Sequence, residues 1–435
     1  MGQSHYTAQD HKHLKGAKWP VSEVNDYWTG SVYFESLYGP EYDVTMDLVF
    51  DTTSDWTYAV TVDCVYDCGT PEKYFRADGN VAFAEKNVNG FDVTYITNWI
   101  AKVAIGNFWV TDDAFGLGLI TGTKDYIPAE VGGWLGLARS QPFKTGAMAG
   151  ATDYARGDSF VEAMVDMGRF NSSTFSFFLS SNDAEDGERY VDFGLPVGTS
   201  MSNPDKIKYI ELQDDLFWAS LVQGFAFGSL KNGYRVPRKE HVNKNGEMYT
   251  IFDSTSATIQ LPHEVFEEYI VQLMTDEDDK VLEHEVYSST SLGVTTAGVV
   301  AACDFDYPDL HFLFGTTWLT VAKDDYVMPA GDLGSSSDCF LLLSNAGKEV
   351  PYAHMGLPLY KGYYSVHDDL NGRMGFVPHK GSSKKGPFES TGRPTEDMNM
   401  NKKTKTPDAD SGDCAEWDAD CLQVADLEGR LNGLN

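Results

Sequence analysis

The sequence predicts a bilobal all-β protein, in which two β lobes with few short helices lie on either side of a central cleft. A chain of 435 residues is too long for one ordinary core and suits two domains. Short runs of alternating or apolar residues, separated by turn residues that include 41 glycines and 17 prolines, are typical of β structure. A short aspartate motif also occurs twice, once in each half of the chain.

Strand-like runs dominate the chain from Tyr27 onward. The clearest of them cover residues 31–38, 42–50, 91–99, 102–111, 174–179 and 190–193. Helical periodicity is rare, and its best examples are residues 158–167 and residues 263–274, the second of which follows Pro262. Most connections are short, so we expect two β lobes with only minor helices.

The repeated motif consists of two apolar residues, an aspartate and three small polar residues. Its copies are VFDTTS at residues 49–54 and IFDSTS at residues 251–256, with Asp51 and Asp253 as the acidic members. One buried carboxylate is costly because low dielectric disfavours its charged form, whereas two facing carboxylates can share one proton. In such a pair one carboxylate acts as a base on a water and the other, protonated, polarises a carbonyl group. A single copy would indicate only a turn or a helix N-cap.

With both copies present, the chain resembles the pepsin-like (family A1) aspartic proteases, whose two lobes each carry hydrophobic-Asp-Thr/Ser-Gly-Ser/Thr. The resemblance extends over residues 27–378 and implies the bilobal pepsin-like fold. Further matches occur in the family's order: a flap region at 95–99, apolar-glycine elements at 115–118, 132–138 and 354–356, and strands at 175–180, 193–194, 363–368 and 374–378.

The resemblance implies a role for each polar residue of the two motifs. Asp51 and Asp253 would form the catalytic dyad. The hydroxyl next to each aspartate would tie one lobe to the other beneath the dyad, and the hydroxyl three residues after it would hydrogen-bond the outer carboxylate oxygen. These supporting residues are Thr52 and Ser254 for the first role, and Ser54 and Ser256 for the second.

At four positions where the chain departs from the family pattern, another residue replaces a glycine. Thr53 and Thr255 replace the motif glycines, and Ile96 and Asn98 replace those of the flap. Glycine serves where backbone approaches a ligand closely, so a stiff β-branched threonine would lie beside the path of a substrate main chain. The resemblance makes Tyr95 the flap tyrosine that closes over a substrate, while an ordinary strand tyrosine explains it equally well.

Three functions remain open at this point. Both aspartates and their neighbouring serines support an active, divergent acid endopeptidase. The four lost glycines support a non-catalytic pepsin-fold protein that binds peptide, protein or glycan in the cleft. The acidic surface and the C-terminal tail would suit a structural or assembly subunit.

Six cysteines form three close pairs, which predicts disulfides rather than a metal site. The pairs are Cys64 with Cys68, Cys303 with Cys339, and Cys414 with Cys421. Zinc would need four ligands at one place, and no pair has histidine companions at a useful spacing. Disulfides indicate the secretory pathway, a vacuolar or lysosomal compartment, or the extracellular space, and the first two pairs also resemble family disulfides in position. Asn171 begins the sequon NSS and is a candidate glycosylation site.

The net charge of −32 argues against nucleic acid or an anionic membrane surface as a partner, because phosphate groups would be repelled. The sequence has no apolar run of about 18 residues, so we expect no transmembrane helix. The first twenty residues are polar and lack the apolar centre of a signal peptide. Without a metal or nucleotide motif we expect no cofactor. The expected partner is a peptide or protein, as substrate or ligand.

We expect four parts along the chain: an N-terminal extension (1–26), an N-terminal β lobe with Asp51 and the flap (27–195), a C-terminal β lobe with Asp253 (196–378), and a polar linker with a C-terminal tail (379–435). Residues 381–413 are polar and lack periodic apolar residues, which predicts a linker or disordered arm. Near its end the tail has apolar residues at a helical spacing. They predict a short helix, which either frays or docks on a protein partner. Its apolar residues are Leu422, Val424, Leu427 and Leu431.

Overall fold

The computed structural model describes most of the chain between residues 17 and 398. The described residues are 17–20, 22–24, 27–36, 39–54, 56–66, 68, 81–88, 91–97, 100–106, 108–110, 117–123, 127, 131–139, 159–180, 189–213, 217–237, 242–275, 280–282, 284–291, 294–329, 337–347 and 350–398. Cys414, Cys421 and the apolar residues of the C-terminal tail therefore lie outside the described residues.

Strands make up most of the structure. The first strands are β1 (Ala17–Pro20), β2 (Ser22–Val24), β3 (Tyr27–Ser36), β4 (Val44–Asp51), β5 (Thr57–Tyr66), β6 (Val81–Val88), β7 (Phe91–Thr97), β8 (Ile100–Ile105), β9 (Phe108–Val110), β10 (Leu117–Thr123), β11 (Gly133–Gly136), β12 (Thr174–Phe178) and β13 (Tyr190–Phe193). The remaining strands are β14 (Lys208–Glu211), β15 (Ala219–Phe227), β16 (Gly233–Arg235), β17 (Met248–Phe252), β18 (Ile259–Leu261), β19 (His284–Ser291), β20 (Val294–Ala302), β21 (Leu310–Phe314), β22 (Thr317–Val321), β23 (Val327–Pro329), β24 (Asp338–Asn345), β25 (Ala353–Met355), β26 (Tyr363–Asp368), β27 (Arg373–Pro378) and β28 (Phe388–Glu389).

Helices in the described residues are few and short, as predicted. They are α1 (Phe160–Asp166), α2 (His263–Leu273), α3 (Lys323–Tyr326) and α4 (Leu357–Tyr360), with 3₁₀ turns at Pro40–Tyr42, Gly198–Ser200 and Pro204–Lys206. The two predicted helices are confirmed as α1 and α2. The hydroxyl of Ser159 caps α1 by accepting from the backbone N–H of Glu162, and Pro262 precedes α2.

Three sheets contain the described strands. A ten-stranded sheet is built from β2 to β11, and a twelve-stranded sheet from β15 to β25 together with β28. A third sheet has the order β1-β13-β12-β26-β27-β14, so strands from both halves of the chain pair in it. Each of the two larger sheets carries one aspartate motif. The predicted bilobal all-β fold is confirmed.

The predicted strand at 102–111 is two strands in the structure. β8 ends at Ile105 and β9 begins at Phe108, because Gly106 between them has φ of +56°, a left-handed conformation that breaks a strand. β9 then folds back antiparallel on β8, with Ile105 opposite Phe108. Glycine accepts this conformation without a steric penalty, which explains the tight reversal.

Residues 381–398, here called the C-terminal strap, pack against the second half of the molecule, so the prediction of a linker or disordered arm is wrong for them. β28 pairs with β22, and Met398 and Lys384 are buried. Lys384 makes an ion pair with Asp325 in which the side chains are 1% and 0% exposed. Polar composition did not predict this packing because only a few side chains of the strap enter the core.

Two of the three predicted disulfides lie within the described residues, and both are confirmed. Cys64 bonds to Cys68, and Cys303, which directly follows β20, bonds to Cys339 of β24. Within the same part of the chain, no helix has the length and apolar character needed to cross a membrane.

Candidate active site

The two aspartates lie at the ends of two strands and meet at one site. β4 ends at Asp51, and Asp253 directly follows β17. A short strand runs parallel to each: β11 beside β4, with Asp51 opposite Gly136, and β25 beside β17, with Phe252 opposite Met355. Buried apolar strands on both sides hold the backbone of each motif firmly. Asp51 and Asp253 are both buried, at 8% and 7% exposed.

Gly356 explains why an apolar-glycine element packs behind the second aspartate. A Cβ at this position would lie 2.2 Å from the backbone oxygen of Thr258 and 2.3 Å from that of Ser256. These contacts are with backbone, which cannot move aside as a flexible side chain can. The glycine therefore lets the chain after β25 pass directly against the loop that follows Asp253.

Reciprocal hydrogen bonds tie the two motifs together beneath the aspartates. The backbone N–H of Thr52 donates to Ser254 Oγ at 3.0 Å, and that of Ser254 donates to Thr52 Oγ1 at 2.9 Å. The hydroxyls then donate across the interface, from Thr52 to the Phe252 carbonyl at 2.8 Å and from Ser254 to the Phe50 carbonyl at 2.5 Å. This network fixes the spacing of the two carboxylates.

The threonines that replace glycine hydrogen-bond their own aspartates. In each motif both the backbone N–H and the hydroxyl of the threonine donate to Oδ1 of the aspartate, at 2.8 and 2.7 Å. Thr53 and Thr255 thus supply hydroxyls to the carboxylates in the same way in both lobes. Whether their side chains alter the cleft for a substrate stays a prediction.

The hydroxyls of Ser54 and Ser256 do not have the expected role. Each hydroxyl donates to a backbone carbonyl two residues onward, Ser54 to Trp56 at 2.9 Å and Ser256 to Thr258 at 2.8 Å. A hydroxyl has one proton to donate, so neither donates to a carboxylate in this geometry. The threonine hydroxyls, which are closer to the aspartates along the chain, take the place expected for the serines.

The two carboxylates have opposite electrostatic environments. Burial and the negative charge of Asp253 raise the pKa of Asp51 to about 6. Burial also acts to raise the pKa of Asp253, but the hydrogen bond and charge of His354, with the hydrogen bonds of Thr255, outweigh it and hold that pKa below its usual value. The site therefore favours a proton on Asp51 and a negative charge on Asp253.

His354 is a site residue that sequence reasoning missed. Its Nδ1 lies 2.9 Å from Asp253 Oδ2. In the sequence it appeared only as the first residue of the element 354–356, and its position depends on the parallel register that places it opposite Ile251. A polar residue within an otherwise apolar element was the one available indication.

Tyr95 and Ile96, two of the expected flap residues, lie in strand β7, and their role in a flap stays a prediction. β6 pairs with β7 from Val88 opposite Phe91 to Val81 opposite Thr97, and Tyr95 lies within this pairing, opposite Ala84. On its other side Tyr95 is opposite Gly118 of β10. β7 is therefore paired on both edges at Tyr95, whereas Ile96 is paired with Ala82 of β6. Asn98 lies outside the described residues.

Removal of the Thr53 hydroxyl should raise the pKa of Asp51 above about 6, because that hydroxyl hydrogen-bonds the charged carboxylate and lowers its pKa. A hydrogen bond to a charged group contributes about 1.5–3 kcal/mol, so Thr53→Val should raise the pKa by roughly one unit. NMR titration of ¹³C-labelled aspartate carboxyl groups measures it. Thr53→Ser, which keeps the donor, is the matched control, and an equal shift in both variants would contradict the assignment.

Comparison with known proteins agrees with this geometry. The family model described as eukaryotic aspartyl protease matches residues 41–379. Gastricsin of Callithrix jacchus is 20% identical over 380 residues, which cover 84% of this chain and 88% of the relative. Gastricsin of Cavia porcellus is 23% identical over 343 residues, 77% of this chain and 76% of the relative, and gastricsin of Oryctolagus cuniculus is 22% identical over 381 residues, 84% and 88%.

Proposed function

The chain belongs to the eukaryotic aspartyl protease family, and from this premise we propose that it is an endopeptidase that hydrolyses peptide bonds with Asp51, Asp253 and a water molecule. One observation carries the proposal: two buried carboxylates from different lobes are held by matching hydrogen bonds while their pKa values are shifted in opposite directions. Two titratable groups with such opposed environments suit an acid and a base in one reaction.

In the proposed reaction Asp253 is the base and Asp51 the acid. The water oxygen bonds to the carbonyl carbon of the peptide as Asp253 accepts a proton from the water, and Asp51 donates its proton to the carbonyl oxygen. The C–N bond of the resulting tetrahedral intermediate then breaks as Asp253 gives its proton to the departing nitrogen. A hydroxyl proton of the intermediate returns to Asp51, which restores the starting state.

Peptide cleavage should be confined to acidic pH. The pKa of Asp51 is raised to about 6, so the acid is lost as pH rises through about 6. The pKa of Asp253 is lowered, so Asp253 becomes protonated, and the base is lost, only at pH values below the ordinary aspartate pKa of about 4. Cleavage of a quenched peptide library between pH 2 and 8, with and without a statine-type transition-state inhibitor, measures this. Failure of the inhibitor to block cleavage, or a rate that keeps rising above pH 7, would contradict the proposal.

A non-catalytic role is the second candidate, and the hydrogen bonds of Asp253 favour it. Thr255 occupies Oδ1 of this carboxylate and His354 occupies Oδ2. If these bonds exclude the attacking water, the cleft binds a peptide or protein without cutting it. Tight binding of the statine-type inhibitor with no cleavage at any pH would support this function over hydrolysis.

An oxidising compartment suits either function, namely the secretory pathway, a vacuole or lysosome, or the extracellular space. The two disulfides, Cys64–Cys68 and Cys303–Cys339, support this placement because such bonds persist under oxidising conditions. Asn171, the proposed glycan site, is exposed in the segment between α1 and β12.

A further inference from the structure

His354 breaks the symmetry between the two halves of the site. The register of the parallel strands places His354 opposite Ile251, two residues before Asp253, and places Trp134 opposite Val49, two residues before Asp51. The same position therefore holds a hydrogen-bonding imidazole in one lobe and an indole in the other. The hydrogen bonds from Thr53 and Thr255 match in the two motifs, and Asp51 also accepts one from the backbone N–H of Ser54, so His354 is the side chain that sets Asp253 apart.

The hydrogen bonds to Asp253 leave a defined place for one more donor. An ionised carboxylate offers about four acceptor sites, two on each oxygen. The backbone N–H and hydroxyl of Thr255 use both sites of Oδ1, and His354 Nδ1 uses one site of Oδ2. The hydrogen bonds from the described residues therefore leave one acceptor site of Asp253 open, on Oδ2. A water could donate its proton there.

We propose that His354 is a positioning residue of this site: by donating its Nδ1–H to Oδ2 of Asp253, it makes Asp253 rather than Asp51 the carboxylate that accepts a proton from the water. The inference rests on the proposed function and names which carboxylate is the base and what makes it so. A carboxylate can only accept, so Nδ1 carries the proton of this hydrogen bond while Asp253 is charged. His354 therefore acts through Asp253.

The other groups that face Asp253 do not supply this bias. Asp51, at the end of β4, is a carboxylate and cannot bring positive charge to Asp253. Tyr360 of α4 is buried and its pKa is raised well above its usual value by burial and by Asp253, so it stays neutral. His354 itself packs against Tyr352, with ring centroids 5.3 Å apart, and lies opposite Gln260 of β18. Among these described groups, His354 is the one that can bring positive charge to Asp253.

Substitution of His354 should change the titration of Asp253 without depending on turnover. In full-length protein with ¹³C-labelled aspartate carboxyl groups, assigned with Asp253→Asn, His354→Leu should raise the pKa of Asp253 by about one unit or more, as expected for loss of a hydrogen bond to a charged group. His354→Asn, which keeps an N–H donor near the position of Nδ1, should restore most of the shift. His284→Leu, a histidine of β19, is the matched control. An unchanged titration in His354→Leu would overturn the proposal.

Peptide cleavage provides the second measurement. The acid limb of kcat should move upward by about one pH unit in His354→Leu, so that the loss of kcat grows as pH falls and approaches tenfold below the limb, with KM nearly unchanged, while His354→Asn stays close to the wild type. Faster cleavage by His354→Leu at every pH would overturn the proposal and show that His354 blocks the site. If the wild type does not cleave at all, the proposed hydrolysis fails, and the carboxyl titration still decides what His354 does.

A measurement on the unmodified protein guards against variants that do not fold. ¹⁵N NMR of labelled histidine reports which ring nitrogen of His354 carries the proton. Protonated Nδ1 throughout the pH range in which Asp253 is charged is the expected result. Neutral His354 with its proton on Nε2 would overturn the proposal, because Nδ1 could not then donate to the carboxylate.

Discussion

Asparagine in place of Asp51 should reduce kcat for peptide cleavage by at least about 10³-fold, because the amide cannot exchange the proton that the carbonyl oxygen requires. The fold should remain intact. An asparagine Oδ1 can still accept the hydrogen bonds that Thr53 donates from its backbone N–H and hydroxyl. Cleavage of a quenched peptide at pH 4, with circular dichroism to verify folding, measures the effect. Asp47→Asn, at an exposed position of the same strand, is the matched control and should cleave at the wild-type rate.

The same substitution should stabilise the protein at neutral pH. The folded pKa of Asp51 is about 6, above the ordinary 3.8, so its contribution to stability is present below about pH 4 and is lost as pH rises through about 6. Two units correspond to about 3 kcal/mol, which Asp51→Asn should recover at pH 7 and not at pH 4.

Asp253→Asn should have the opposite effect on stability. The pKa of Asp253 is lowered, so its charged form stabilises the folded state above the ordinary aspartate pKa, and this contribution is lost as pH falls through the folded value. At pH 7 Asp253→Asn should therefore lower the melting temperature while it also abolishes cleavage. The same direction of change in both variants would contradict the division of proton and charge between the two aspartates.

Methionine in place of Lys384 should lower the free energy of unfolding by about 3–5 kcal/mol, the usual cost of leaving a buried charge without its partner. The Lys384 ammonium lies 3.2 Å from Asp325 Oδ2 and 3.2 Å from the carbonyl oxygen of Leu359, and it also donates to the carbonyl of Lys361. Methionine matches the length of the aliphatic chain and cannot donate to any of these three acceptors. Urea unfolding at pH 7 measures the change.

Two variants separate the loss of the ion pair from other effects of removing a lysine. Lys380→Met, at an exposed position, should leave the unfolding free energy within about 0.5 kcal/mol of the wild type. Lys384→Met combined with Asp325→Leu should recover much of the loss, because no uncompensated charge is then buried. Equal stability of the single and double variants would show that Asp325 does not depend on Lys384.

Sequence patterns predicted the fold and the two aspartates because both depend on local and repeated features. Asp51 ends one apolar strand and Asp253 follows another, within the same short motif, and that duplication is visible in the sequence itself. Helix α2 was equally visible from Pro262 and the apolar periodicity after it. Such features need no knowledge of which distant segments meet.

The remaining parts depended on contacts between distant segments or on side-chain direction. His354 meets Asp253 only through the parallel register of β25 with β17. The choice between the hydroxyls of Thr53 and Ser54 depends on side-chain rotation, which a motif does not specify. Lys384 lies in a polar stretch, and its burial depends on Asp325 far upstream.

The sheet that joins the two halves has a consequence for biosynthesis. β12, whose five residues are all buried, pairs with β13 on one edge and with β26 on the other. A ribosome completes β12 long before it makes β26, so the nascent chain carries an apolar strand with one unpaired edge throughout synthesis of the second lobe. Such edges promote aggregation and distant pairing slows folding, so the open edge of β12 is a point of aggregation risk until β26 has been made.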